Sequence, residues 1–282
     1  MGIVLIIPLF VPQLPEVNNG QVRVAMMDVG QGTAVLVRTK RHALLYDTGA
    51  GVPGGFSRGQ STVLPALHAL GIERLHTAVI SHGDNDHAGG LVAVREGIAV
   101  DRIQAPLGAL PAEVPHAECI AGRHWQWDGV HFVYIWPIDR HSGDDNDRSC
   151  VLLVRGGGRS LLLTGDISAA AETQLLTHYG ELLRSEVVLV PHHGSAGSSS
   201  EAFIAAVKPQ VALISSGFQN RFRHPRPEVL ERYRNAGAQT VNTVDSGWAE
   251  LTGTPDGWVW SRQARHDDRR YWLRNAQEAS VK

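Results

Sequence analysis

Net charge and cysteine are both scarce in this chain, and each shortage excludes something. Its 26 basic and 28 acidic side chains leave a formal charge of −2 at neutral pH, so no broad positive field draws it to nucleic acid. A polyanion would have to be met by bound cations and a local basic patch. The 2 cysteines, Cys119 and Cys150, form no Cys-x-x-Cys pair, which excludes a zinc ribbon. Two readings stay open for them: buried thiols or, in an oxidising compartment, one disulfide. A full membrane span is also lacking, because the apolar stretch from Ile3 to Pro12 has about half the ~20 residues a spanning helix needs. It has neither the basic leader nor the small-residue cleavage site of a signal peptide. It reads as the last turns of a membrane helix in preference to a buried arm, with a linker over 13–21.

Several familiar motifs are incomplete. The Gly-x-Gly within 28–34 lacks its third glycine and a following helix, which excludes a dinucleotide fingerprint. Asp47-Thr48-Gly49 occurs once, whereas an aspartic-protease dyad needs two such aspartates. Gly156-Gly157-Gly158 is a turn, since no helix follows to cradle a phosphate.

What is present describes layered α/β structure. The 282 residues, 43% hydrophobic, suffice for one large domain or two small ones. We read a membrane-helix end and linker over 1–21, one folded domain over 22–261, and a basic tail over 262–282. Apolar and β-branched runs predict an antiparallel meander over Val22–Met27, Ala34–Val37 and Ala43–Tyr46. Later strands are predicted at 77–80, 100–104, 131–136, 150–155, 160–163, 187–190, 211–215, 240–241 and 248–251, and helices at 61–70, 91–96, 168–179, 200–207 and 227–235. The region 105–129 is poorly periodic, and its Trp125 and Trp127 read as core residues in preference to base-stacking ones. Strands followed by helices occur twice, in 22–96 and 131–207.

The chain is organised around Ser81-His82-Gly83-Asp84-Asn85-Asp86-His87-Ala88-Gly89-Gly90, which follows the apolar run Thr77-Ala78-Val79-Ile80. Imidazoles and carboxylates packed into a loop at a strand's end are how a protein holds a divalent cation. Three other predicted strands end in the same chemistry, at Asp47, at Asp166 and at His192-His193. Singly, these have ordinary explanations as turn aspartates or packed histidines. Together, at four strand ends, they point to a metal-lined cleft on one edge of a layered fold.

His82-Gly83-Asp84-Asn85-Asp86-His87 with Thr164-Gly165-Asp166 downstream resembles the metallo-β-lactamase superfamily of binuclear hydrolases. Asp28-Val29-Gly30-Gln31-Gly32, Pro191-His192-His193-Gly194-Ser195 and Asn220-Arg221-Phe222-Arg223-His224-Pro225 narrow the likeness. With them, about residues 22 to 260 resemble the C-terminal hydrolase domain of ComEC-type channel proteins of bacterial DNA uptake. The resemblance implies an αββα sandwich, a nuclease degrading the strand that is not imported, and a channel part of the same protein in the inner membrane. It also implies a periplasmic or outer face for this domain. Two positions depart from the superfamily pattern. Asp84 replaces the second histidine of His-x-His-x-Asp-His, and the middle histidine before Thr164-Gly165-Asp166 has no match, with Asn146 or Ser149 near its place and His141 a weak stand-in. The ComEC-type group resembles this chain in both. Carboxylate in place of imidazole hardens one site, favouring Mn²⁺ or Mg²⁺ over Zn²⁺, and weakens it enough to leave single-metal occupancy open.

The resemblance assigns residues as follows. His82 and Asp84 hold one divalent ion, Asp86, His87 and His193 the other, and Asp166 bridges them. Asp47 orients a ligand from behind, and His192 either stands behind the ligands or faces the substrate, His193 being the ligand. Two such cations lower the pKa of a shared water and offset charge on phosphoryl oxygens. Asp86 and Asp166 are central to that chemistry, and His224 donates a proton to the leaving oxygen or binds a phosphate. Asn220, Arg221 and Arg223 would meet the DNA backbone, expected to be single-stranded. No organic cofactor is called for. Two alternatives are a hydrolase of another small ester or phosphodiester, and a module that binds DNA without cutting it.

Overall fold

A computed structural model describes residues 16–52, 54–138 and 144–268. The apolar start, His141 and the tail beyond residue 268 lie outside the described residues. Within them, no helix is long and apolar enough to cross a membrane.

Two sheets stack face to face. The first runs, in spatial order, Gly257–Gln263, Ala249–Thr254, Arg23–Met26, Val35–Arg38, Ala43–Tyr46, Thr77–Val79, Ile103–Ala105, Ala117–Glu118. The second runs Gln239–Asn242, Val211–Ile214, Val187–Leu189, Arg159–Leu163, Val151–Gly156, Val130–Trp136, His124–Trp127. Side-chain alternation explains the layering. In Val151–Gly156, Leu152 and Val154 enter the core between the sheets, while Val151 and Leu153 face the helices outside. Leu64–Ala69 and Leu91–Gly97 cover the outer face of the first sheet, and Ala169–Tyr179, Glu201–Val207 and Pro227–Asn235 that of the second. The result is the expected αββα sandwich.

Each sheet changes direction of pairing midway. The expected meander is antiparallel, and then Ala43–Tyr46, Thr77–Val79 and Ile103–Ala105 are parallel. In the second sheet Arg159–Leu163, Val187–Leu189, Val211–Ile214 and Gln239–Asn242 are parallel. Parallel neighbours share a carboxyl end, so the loops that follow them emerge on one edge.

Some expectations shift. The strand expected over 100–104 is split: Ala99–Val100 pairs with Arg74–Leu75 in a small separate sheet, and only Ile103–Ala105 joins the main one. The aperiodic region contains Ala117–Glu118 and the edge strand His124–Trp127, whose tryptophans pack on the inter-sheet core as expected, Trp125 stacking on Phe132 at 5.0 Å. The last strand, Gly257–Gln263, runs past the expected start of the basic tail. With Ala249–Thr254 it returns the chain to the first sheet, which the repeated strand-then-helix pattern does not reveal.

Polar and covalent ties hold the layers together. Cys119 and Cys150 are disulfide-bonded, with Cα atoms 5.8 Å apart, joining the loop after Ala117–Glu118 to the start of Val151–Gly156. The buried Tyr46 hydroxyl donates to the Cys150 carbonyl (2.6 Å) and that of Tyr134 to Gln104 Oε1 (2.7 Å). At the opposite end of the sandwich, Asp128 reaches from the second sheet to the Thr39–His42 turn of the first. It accepts from Thr39 Oγ1 (2.7 Å), Arg41 N (2.7 Å), Arg41 Nε (3.1 Å) and His42 Nδ1 (2.9 Å).

Burial opposes the Asp128 charge, but hydrogen bonds from His42, Thr39 and Arg41 hold its carboxyl well below the usual carboxylate range. Its contribution to stability is therefore complete above the unfolded value of about 4 and lost as pH falls through the lower folded value. Asp128→Ala should lower the unfolding free energy by about 1–3 kcal/mol at neutral pH. Urea titrations should show the gap between the two proteins closing in strong acid.

Candidate metal centre

Four strand ends converge on the edge where the parallel pairs finish. Asp47 follows Ala43–Tyr46, the 81–87 loop follows Thr77–Val79, Asp166 follows Arg159–Leu163, and His192-His193 follow Val187–Leu189. Asp47, His82, His87, Asp166 and His193 are buried.

Hydrogen bonds settle how the imidazoles point. Asp47 accepts from Ser81 N (2.7 Å), Ser81 Oγ (2.8 Å) and His87 Nδ1 (2.8 Å). Its carboxylate can only accept, so His87 carries a proton on Nδ1 and turns Nε2 inward. His193 Nδ1 likewise donates to the Ser215 carbonyl (2.8 Å). Ser81 Oγ, having donated to Asp47, accepts from His82 Nδ1 at 3.0 Å.

The three Nε2 atoms then meet carboxylates. His87 Nε2 is 3.2 Å from His193 Nε2, 3.3 Å from Asp166 Oδ1 and 4.0 Å from Asp86 Oδ2. His193 Nε2 is 3.3 Å from Asp86 Oδ2 and 3.5 Å from Asp166 Oδ2. His82 Nε2 is buried without a hydrogen-bond partner among the described residues, with Asp84 Oδ2 3.6 Å away. Two overlapping ligand groups result, His82/His87/Asp166 and Asp86/His87/His193, each with its donor atoms within 4.8 Å of one another.

This set fits divalent cations. The Nε2 atoms of His87 and His193 face each other at 3.2 Å beside the orphaned buried Nε2 of His82, and a cation in place of the protons there satisfies all three at once. His82, His87 and His193 with Asp86 and Asp166 would hold it, with Asp84 outside beside His82. The structure brings together His82, Asp86, His87, Asp166 and His193, with His87 in both groups rather than in one, whereas the exposed Asp84 stands 3.6 Å from His82 Nε2 and belongs to neither group. His193 rather than His192 enters the cluster. The His192 side chain is 31% exposed, and its Nε2 lies 3.7 Å from Asp166 Oδ2.

The backbone is strained to achieve this. Asp47, His192 and His193 have φ of 61°, 49° and 53°, left-handed values that cost a non-glycine residue free energy and recur at functional sites. Gly32 seats Asp86, since a Cβ there would stand 2.3 Å from the Asp86 carbonyl oxygen.

Charges reinforce one another. Burial works against the Asp166 carboxylate, yet His87 and His193 hold it well below the ordinary value. Burial likewise opposes the Asp86 charge, but His193 and His87 bring its carboxyl to about 2. His87 and His193 are themselves pushed up against burial, chiefly by Asp166.

Beside the cluster, a cavity of about 530 Å³ is lined by Gln219, Asn220, Arg221, Arg223, His224 and Asn242, among others. Arg221 and Arg223 are exposed. Asn220 is occupied by its own loop, donating to the Gly217 and His224 carbonyls (2.9 and 2.5 Å) and accepting from His224 N (3.0 Å). Burial, with His192, His193 and Arg226 nearby, lowers His224 to about 4, and its Nδ1 is buried without a partner among the described residues.

Residue type and spacing do not single out Ser81 and Ser149 as site residues, yet both touch the cluster. Ser149 Oγ accepts from Asp166 N (3.0 Å) and lies 3.5 Å from His82 Nδ1. Their only signal is position: Ser81 opens the ligand loop, and Ser149 stands near the place of the missing histidine. Asn146 lies in a short turn with no described contact to the cluster.

Residues 27–217, more than half of the chain, match the model of the metallo-beta-lactamase superfamily. The chain is 41% identical over 249 residues to Competence protein ComA of Neisseria gonorrhoeae, covering 86% of this chain and 34% of that protein. It is 38% identical over 225 residues to Recombination protein 2 of Haemophilus influenzae, covering 80% and 28%. The chain thus spans about a third of the length of the curated relatives it matches. Among solved structures, Igni18, a metallo hydrolase of Ignicoccus hospitalis, superposes with a TM-score of 0.53 at 16% identity, covering 82% of this chain and 98% of that one. YhfI of Bacillus subtilis, a metallo-beta-lactamase fold protein, gives 0.51 at 11% identity, covering 78% and 95%. These two likenesses concern the fold.

A cation entering this centre displaces the protons that Asp166 and its neighbours hold on His87 and His193. Calorimetric titration with Mn²⁺ should therefore show proton release, and affinity rising with pH through the raised imidazole range. His193→Ala should weaken binding by more than about tenfold.

Proposed function

The chain belongs to the metallo-beta-lactamase superfamily, and on that premise we propose that it is a metal-dependent phosphodiesterase, a deoxyribonuclease that degrades the non-imported strand during DNA uptake. The observation that carries this reading is the convergence of His82, His87 and His193 Nε2 with Asp86 and Asp166 beside a cavity edged by exposed arginines.

When bound, divalent cations supply an acidified water and offset negative charge on phosphoryl oxygens. The chain's own residues do the rest. Asp47 and the Ser215 carbonyl hold the His87 and His193 rings so that no reorientation is needed on binding. Asp166 lies between His87 and His193 and stays ionised at neutral pH. Arg221 and Arg223 suit phosphate oxygens at the rim. His224, neutral at pH 7, suits a hydrogen bond to a phosphate better than proton donation. Asn220 contributes by holding the loop that carries them.

The names of the competence and recombination relatives support DNA as substrate. We further propose that the chain works beside a membrane channel part of the same protein, on the periplasmic face, a setting that suits the Cys119–Cys150 disulfide. Mn²⁺ is the favoured metal, since carboxylates outnumber the superfamily's usual share of the ligands.

Labelled DNA should be cut with added Mn²⁺, and Asp86→Ala should lower the rate more than about 100-fold. Equal cutting by both proteins would mark a contaminant and end the nuclease reading. Hydrolysis of small esters with DNA left intact would move the assignment to another substrate. Binding of DNA that chelators do not change, without cleavage, would make it a binding module.

A further inference from the structure

Phenylalanine is unevenly placed in this fold. The chain has 6; among the described residues Phe132 and Phe203 are buried, while Phe56, Phe218 and Phe222 are 57%, 59% and 43% exposed. One exposed aromatic is ordinary. These three, however, lie on two loops that follow strand ends on the edge that carries the metal centre, Phe56 after Asp47 and the others after Val211–Ile214.

Both loops are anchored to the turn that seats Asp86. A Cβ on Gly30 would stand 3.1 Å from Arg58 Nη2, and one on Gly217 2.7 Å from Gln31 N. Gly217 N donates to Gln31 Oε1 (3.2 Å), Ser215 Oγ to the Gly32 carbonyl (2.6 Å), and Thr33 N to the Asp86 carbonyl (3.0 Å). The two loops therefore both meet the turn that seats Asp86.

Each loop carries an arginine over a ring. Arg58 Cζ is 4.8 Å from the Phe56 centroid and Arg221 Cζ 4.6 Å from that of Phe222. Neither guanidinium makes an ion pair among the described residues. Phe222 also lies nearly parallel to His224, at 23° and 5.7 Å, and His224 meets His192 edge-on. Apolar ring faces with unpaired cations beside them suit a ligand that is flat and apolar in one part and anionic in the next, which describes an unpaired nucleic-acid strand.

We propose that Phe56 and Phe222 are stacking platforms for two unpaired bases of one strand whose backbone crosses the metal centre. The proposal rests on the phosphodiesterase reading of the same site and names what selects its substrate. A base replaces the arginine over each ring, and the displaced guanidinium meets a flanking phosphate. Stacking on an aromatic ring outweighs an exposed cation–π contact, so the exchange is favourable. Duplex DNA gains nothing here, because its bases are already stacked on one another.

The test is fluorescence anisotropy on the full chain in chelator, with oligothymidine and an abasic strand of the same length. Wild type should bind oligothymidine about tenfold more tightly than the abasic strand. Phe56→Ala and Phe222→Ala should each lose about tenfold for oligothymidine and little for the abasic strand. Phe222→Trp, which keeps a stacking face, should retain affinity; failure of tryptophan as complete as that of alanine would overturn the proposal. Equal affinity of wild type for both strands, unchanged in the variants, would overturn stacking while leaving the phosphodiesterase reading in place. Binding to neither strand, with no hydrolysis of any phosphodiester under added Mn²⁺, would overturn both.

Discussion

A carboxylate with no access to solvent holds this site together. Asp47 is wholly buried, and a buried charge is tolerated only when hydrogen bonds replace its water. Its three donors, Ser81 N, Ser81 Oγ and His87 Nδ1, all come from the neighbouring strand end. The cost of burying the charge thus locks the ligand loop against the adjacent parallel strand. The same contacts decide which nitrogen of His87 faces inward and, through Ser81, which nitrogen of His82 does. Asp47 touches no site group except through these bonds, yet the direction of two Nε2 atoms depends on it.

The centre is frustrated by itself. Left-handed backbone at Asp47, His192 and His193 and a buried His82 Nε2 without a partner among the described residues oppose folding. They are sustained by the bulk of the sandwich: the inter-sheet core, the Cys119–Cys150 link and the Tyr46 hydroxyl close beneath the site, and the Asp128 clasp at the far end. Rigid support of this kind lets a cation find its ligands already aimed.

The proposed recognition surface is kept apart from the ligands. Net charge is near zero, so the proposed attraction of a polyanion falls to Arg221 and Arg223 at the cavity beside His224 and to Arg58 over Phe56. There the loops tolerate exposed phenylalanines that the rest of the surface largely avoids.

Chemistry that depends on neighbours along the chain is legible in the sequence alone. The ligand loop, the strand ends at Asp47, Asp166 and His192-His193, the two-sheet alternation and the helices behind it all follow from residue type and period, because burial of one face is a local requirement on a strand or helix. Short or edge strands such as Ala117–Glu118 and His124–Trp127 carry too few residues for a period to show. Which of His192 and His193 enters the cluster, the pairing of Cys119 with Cys150, the return of 249–263 to the first sheet, and the meeting of the Arg58 and Ser215–Gly217 segments at the turn that seats Asp86 were decided only by tertiary structure. Each is a contact between segments far apart in the chain, and nothing in the local pattern of either segment specifies its partner.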